Sequence, residues 1–324
     1  MSKRDRLYRL SLTLRQVNYW LTAQVALVAM RLLRLMPPDA AINFADRLAR
    51  RLGPLSGRHR VALQNLRKAF PEKPEAEIRT IARDMWGSMA RLAAEYVFLD
   101  RLFDFDVNAV TAGRIEVDGI PLFVKIATED RPHILFTGHL GNFELLPVAG
   151  AAYGMKVSSL FRPPNNPYIA DFIHRSRRSA MGNLIASRSG VSFALARILE
   201  NNGTIGVLVD QKFRHGLRTT FFGRPCETSP LLPKLARQYE CDVYPARCIR
   251  LPGNRFRLVI EPKLDLPRGP TGRLDPIATA QMLNDTVERW VREDPGQWMW
   301  FHKRWQLSKP RDHRIPRRPA DTAG

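Results

Sequence analysis

From about residue 112 onward, short apolar runs of strand character alternate with segments of helical periodicity, and this alternation constrains the chain more than any other feature. The strand-like runs are HILFTG (133–138), KVSSLF (156–161), TIGVLVD (204–210), DVYPARCI (242–249) and RFRLVIEP (255–262). Helices are expected between and after them at 142–153, 167–180, 190–201, 230–240 and 276–293. Strands that alternate with helices build a sheet covered by helices, so the expected fold class is α/β. Ahead of this block, residues 37–111 read as a helical region, with apolar residues at helical spacing through RVALQNLRKAF and IRTIARDMWGSMARLAAEYVFL and a break at PEKPE. The expected units are therefore 1–36, 37–111, an α/β domain over 112–309 and a tail over 310–324. That tail is polar and Pro-rich and is expected to be disordered.

Residues 1–36 hold seven basic residues against the single acid Asp5, and Gln16 to Met30 is free of charge. Fifteen helical residues span about 22 Å, short of the roughly 30 Å of a bilayer core. Three readings stay open: an amphipathic helix lying in the membrane interface, a short tilted span with snorkelling arginines, and an ordinary core helix. Arg31 and Arg34 follow the apolar stretch where a cleavage site would stand, so no removable signal peptide is read. In the membrane readings this segment anchors the chain without forming part of the site.

The whole chain carries 51 Lys and Arg against 31 Asp and Glu, a formal charge of +20. Such a balance calls for an anionic partner or surface. Nucleic acid is a poor candidate, because the basic residues are spread along the chain and no helix-turn-helix, RRM or zinc pattern is present. Cys226, Cys241 and Cys248 form no CxxC pair and read as small buried hydrophobes in a reducing compartment. Neither a Walker A pattern nor a strand-linked GxGxxG is found, and no metal or other cofactor is expected.

The segment that carries chemistry is ILFTGHLGNFELLPVAG (134–150). An apolar strand runs into Gly138 and His139, then a Gly-containing turn, then a helix whose first turn holds Glu144. Functional residues in such sheets gather at the carboxyl ends of strands. Glu144 can fold back to accept a hydrogen bond from one ring nitrogen of His139 and leave the other as a base. The alternative is a structural histidine satisfied by a helix carboxylate.

The string GHLGNFE resembles the His-x4-Glu signature of the bacterial lipid A biosynthesis acyltransferases, within the lysophospholipid acyltransferase superfamily. The blocks ALQNLRKAFPE (62–72), FRPPNNPYI (161–169), VLVDQK (207–212), FFGRP (221–225) and QWMWFHKRW (297–305) are similar to further family blocks, in order. Departures are KFRHGLR after Asp210-Gln211, where the family often has a Gly-rich turn, and Thr228-Ser229-Pro230 after FFGRP. The resemblance implies a mixed sheet of the glycerolipid acyltransferase type and an O-acyltransferase. Its donor would be acyl carrier protein, its acceptor a phosphorylated lipid A precursor, and its place the cytoplasmic face of the inner membrane, on anionic lipid. His139 and Glu144 would then be catalytic, and Arg162, Asn165, Asp210 and Gln211 substrate-binding. Each has a plainer alternative: Arg162 a surface ion pair, Asn165 or Asn166 a helix cap, and Asp210 a positional carboxylate facing the crevice or paired with an arginine such as Arg162. Phe221 and Phe222 would line an acyl tunnel or pack in the core, and His302 would face a membrane interface or make a core or domain contact.

Overall fold

The computed structural model describes residues 3–106, 113–188 and 190–308. The expected boundary near 112 and the expected disordered tail, 310–324, lie outside the described residues. In chain order the elements are α1 (Lys3–Arg34), α2 (Pro38–Leu52), α3 (Gly57–Ala69), α4 (Glu75–Glu95), α5 (Leu99–Leu102), β1 (Ile115–Asp118), α6 (Ile120–Thr128), β2 (His133–Thr137), α7 (Leu145–Ala152), β3 (Val157–Phe161), α8 (Pro167–Ala180), β4 (Asn183–Ala186), α9 (Val191–Glu200), β5 (Thr204–Leu208), β6 (Leu217–Phe221), β7 (Arg224–Thr228), α10 (Leu231–Tyr239), β8 (Asp242–Leu251), β9 (Arg255–Ile260) and α11 (Pro276–Glu293).

Seven strands form one mixed sheet in the order β1-β9-β8-β2-β5-β3-β4, and β6 and β7 form a separate antiparallel hairpin. β8, β2, β5, β3 and β4 run parallel, while β9 pairs antiparallel with β8. All five parallel strands therefore open their carboxyl ends on one edge. The register matters most at β2 and β5, where Thr137 stands beside Leu208. Two residues further on, the same register brings His139 beside Asp210.

The strand pleat divides the interior between the two faces. Ile134, Phe136, Ile205, Val207 and Val243 enter a core shared with α3, α4, α9, α10, α11 and the hairpin. A second core joins α2, α7, β8 and β9 through Ile42, Leu145, Val148, Phe256 and Leu258. The five expected strands and five expected helices are all present. β1, β4 and the hairpin were not expected: NLIA and IEVD are only four residues long, and LRTTF and RPCET bury polar Thr219, Glu227 and Thr228.

Helix α1 packs through Ala23, Met30 and Leu33 but leaves Val17, Leu21, Val25, Val28, Leu32 and the following Leu35 exposed. Those positions recur every three or four residues, which makes one unpartnered apolar stripe. Phe44, Leu48 and Leu52 add a similar exposed row on α2. Among the described residues no helix is long and apolar enough to cross a membrane.

Candidate active site

The turn after β2 is fixed from three sides. Gly141 adopts φ +53, and a Cβ there would lie 2.3 Å from the Cys248 carbonyl oxygen, so only glycine fits. Next to it, buried Asn142 donates to Glu95 Oε2 at 2.8 Å, and Arg250 closes a bidentate pair on the same carboxylate. Glu95 and Arg250 are 0% and 8% exposed, so each neutralises a charge that would be costly alone. On the third side Leu140 forms a backbone bridge with Trp298, and the Gly141 N–H donates to the Gln297 carbonyl at 3.3 Å. The helical region, through Glu95 of α4, and the terminal aromatic segment thus both hold the turn.

Held in this way, His139 meets Asp210 and Gln211. Its Nδ1 lies 2.7 Å from Asp210 Oδ1, and its backbone N–H donates to Oδ2 at 2.8 Å. Trp298 Nε1 also donates to Oδ2, at 2.7 Å. The Asp210 side chain is 2% exposed. Burial alone would raise its pKa, but the His139 charge, the two His139 hydrogen bonds and the Trp298 bond outweigh it and hold the carboxyl well below the usual range. An ionised Asp210 requires a proton on Nδ1, and in the neutral ring this leaves the Nε2 lone pair free to accept. Gln211 Nε2 approaches that atom at 3.0 Å. The His139 side chain keeps 15% exposure, so Nε2 is the reachable side of a ring whose other nitrogen is fixed.

This arrangement departs from one expectation: the carboxylate on the ring is Asp210, not Glu144. Of the two readings of Asp210, a carboxylate facing the crevice or one paired with an arginine, the structure places it against His139. Glu144 stands at the N-terminal end of α7, 4% exposed, on the wall of an apolar cavity of about 110 Å³. Leu135, Thr137, Leu146, Val157, Leu160 and Leu258 line that cavity beneath α7, and Glu144 is its one ionisable wall residue among those described. Arg162 is exposed immediately after β3, on the same edge as His139. Asn165 is exposed and caps nothing. The cap is Asn166, whose Oδ1 accepts from the Tyr168 and Ile169 N–H groups at 3.1 and 3.4 Å. Its Nδ2 donates to the Tyr19 carbonyl at 2.7 Å, tying the loop that carries Arg162 to α1. The N-terminal helix is thus in contact with a site segment, which a simple anchor would not require.

Phe221 and Phe222 pack in the core with Trp298, Trp300 and Trp305 and do not line the cavity. His302 faces the interior: its Nε2 accepts from the Lys212 N–H at 3.0 Å, and burial pushes the imidazole down to about 4. Among the described residues, the group able to hold a metal is Glu129, His133 and Asp242, at the opposite edge of the sheet. Asp242 there already pairs with Arg131 at 3.3 Å and Lys263 at 3.1 Å. Trp298 is the site residue that sequence reasoning missed. The QWMWFHKRW block marked the segment, but an apolar ring in an aromatic run gives no sign that its N–H reaches a carboxylate 88 positions away.

The sequence model of the family described as bacterial lipid A biosynthesis acyltransferase matches residues 9–307. The chain is 26% identical over 305 residues to the lipid A biosynthesis myristoyltransferase of Escherichia coli (strain K12), covering 91% of this chain and 90% of that protein. The same figures hold for lipid A biosynthesis acyltransferase 1 of Shigella flexneri. A lipid A biosynthesis acyltransferase of Haemophilus influenzae is 22% identical over 249 residues, covering 74% of this chain and 73% of its own.

Proposed function

Because the chain belongs to the bacterial lipid A biosynthesis acyltransferase family, and is therefore an acyltransferase of lipid A biosynthesis, we propose that it uses His139 as general base to move a fatty acyl chain from an acyl carrier protein thioester to a hydroxyl of a phosphorylated lipid A precursor. The observation that carries this reading is the His139 ring held by Asp210, with Phe143, 5.0 Å from that ring, on the wall of an apolar cavity. The acceptor hydroxyl replaces the Gln211 amide at Nε2 and gives up its proton there as its oxygen attacks the thioester carbonyl. Asp210 stabilises the imidazolium that forms, without itself taking the proton. Collapse of the tetrahedral intermediate breaks the carbon–sulfur bond, and the proton passes from Nε2 to the departing thiolate. The cavity beneath α7 takes the acyl chain, with Glu144 at its wall. Arg162, exposed at the same edge, presents a fork of donors to an acceptor phosphate.

The stripe on α1 supports a place on the cytoplasmic face of the inner membrane, where its apolar residues enter the interface and the basic residues face anionic headgroups. Both the donor carrier, an acidic protein, and the phosphorylated acceptor suit a chain of charge +20. The test is incubation of the purified protein with acyl carrier thioesters and a tetra-acylated lipid A precursor, read by mass spectrometry. One added acyl chain per precursor, absent with His139→Ala, is the expected result. Acylation of a glycerolipid with none of the precursor would overturn the acceptor assignment.

A further inference from the structure

The loops that follow β3, β4 and β5 carry a feature the reaction does not use. Each places one large aromatic side chain in water: Tyr168 at 44% exposure, Phe193 at 82% and Phe213 at 46%. Tyr168 and Phe193 lie in the first turns of α8 and α9, and Phe213 follows Gln211 by two residues. Because β3, β4 and β5 are parallel, all three stand on the edge that holds His139. Neighbouring strands are about 4.8 Å apart, so this row reaches roughly 10 Å from β5 across to β4, with the His139 strand, β2, next to β5.

Its charge is one-sided. The segments RPPNNPY (162–168), SRSGVSF (187–193) and QKFRHG (211–216) contain no Asp or Glu. Arg162, Arg188, Lys212 and Arg214 interleave with the aromatics, and no carboxylate lies in ion-pair contact with these four among the described residues. Aromatic rings at headgroup depth beside Lys and Arg are what a membrane–water interface selects.

We propose that these three loops form a second membrane-docking rim, distinct from the α1 stripe, that seats the open edge of the sheet on an anionic bilayer surface. The bilayer is the occupant the chemistry favours, because the rim offers exposed rings on the open edge of the sheet, suited to insertion, interleaved with Arg162, Arg188, Lys212 and Arg214. Two contacts, the rim and α1, joined through Asn166 and Tyr19, would orient the His139 crevice toward a lipid acceptor, where a single helix would leave it free to swing. The proposal rests on the reading that the acceptor is membrane-borne, but its test involves no acyl transfer, so either can fail alone.

The test uses the full chain with an environment-sensitive fluorophore on Phe193→Cys. Cys226, Cys241 and Cys248 are buried, so labelling is confined to the introduced thiol. A control label goes on Lys156→Cys, exposed at the amino edge just before β3. With phosphatidylglycerol–phosphatidylethanolamine vesicles, the label at 193 should shift to the blue and the label at 156 should not. In the otherwise unlabelled chain, Phe193→Ser combined with Phe213→Ser should weaken vesicle partition about tenfold or more, from lost phenyl burial alone. Transfer to detergent-dispersed acceptor should be unchanged. Equal emission at 193 with and without vesicles would overturn the proposal, as would unchanged partition of the double variant. So would a shift produced by self-association or by acidic carrier protein when vesicles give none.

Discussion

Replacing Asp210 by Asn should disable the site while leaving its shape intact. Oδ2 of Asp210 accepts from two donors, the His139 N–H and Trp298 Nε1, at 2.8 and 2.7 Å. An asparagine must keep its carbonyl oxygen toward those two N–H groups, since its NH₂ there would oppose both. Its NH₂ then faces Nδ1 of His139, where Oδ1 stood at 2.7 Å. An NH₂ in that place donates to Nδ1, so the ring proton moves to Nε2 and the lone pair that should take the hydroxyl proton is gone. An enforced wrong tautomer costs about 10⁴ in kcat, or about 5 kcal/mol of transition-state stabilisation. Single-turnover transfer from acyl carrier thioester, with circular dichroism and thermal melting to confirm the fold, would measure it. Glu144→Gln, which leaves the Asp210 bond in place, should lose less. If Asp210→Asn keeps near-normal turnover and Glu144→Gln loses three or four orders of magnitude, roughly the cost of losing a relay carboxylate, the relay runs through Glu144 and the assignment is wrong.

Gly141→Ala should abolish activity and lower the melting temperature, because the new methyl would lie 2.3 Å from the Cys248 carbonyl at a φ of +53; a fully active alanine variant would show that the turn is not fixed. Asn166→Asp keeps the capping oxygen but loses the donor to the Tyr19 carbonyl, so limited proteolysis should release α1 sooner with little change in melting; Asn166→Ala should lose about 1 kcal/mol more through the missing cap. Native His302 stays neutral down to about 4, whereas the unfolded chain's imidazole takes a proton near the ordinary 6.5. The unfolded state therefore binds more protons across that window, and stability should rise with pH through it by on the order of 3 kcal/mol; denaturant titrations of the protein and of His302→Asn should show the slope flattened in the variant. Arg162→Lys should remain impaired on a phosphorylated acceptor, since the ammonium keeps the charge and loses the fork, and full activity would demote Arg162 to a surface charge.

Much of this was legible in the residues. Apolar runs such as TIGVLVD and HILFTG bury on both faces and read as strands without a tertiary context, and GHLGNFE marked the carboxyl end that carries the chemistry. The four-residue strands β1 and β4 and the polar-lined hairpin gave too little periodicity to be seen. Sequence distance favours Glu144, five residues from His139, over Asp210, 71 residues away, as the carboxylate on the ring. Only the β2–β5 register, which puts Thr137 beside Leu208, makes the distant carboxylate the nearer one. The same limit hid Trp298 and the Glu95–Arg250 pair, whose roles exist only once the terminal segment and α4 close on the turn. Asn165 and Asn166 could not be told apart by type. Which one capped α8 depended on the backbone path after the two prolines.

The proposed mechanism turns on the protonation of one ring, and ¹⁵N NMR of the protein labelled at histidine reads it. With His139→Gln used for assignment, the His139 signals of the neutral ring should show a proton on Nδ1, hydrogen-bonded to Asp210, and a bare Nε2. The pattern should invert in Asp210→Asn. A native ring protonated at Nε2 alone, or one whose tautomer ignores residue 210, would contradict the claim that Asp210 holds His139 as the base.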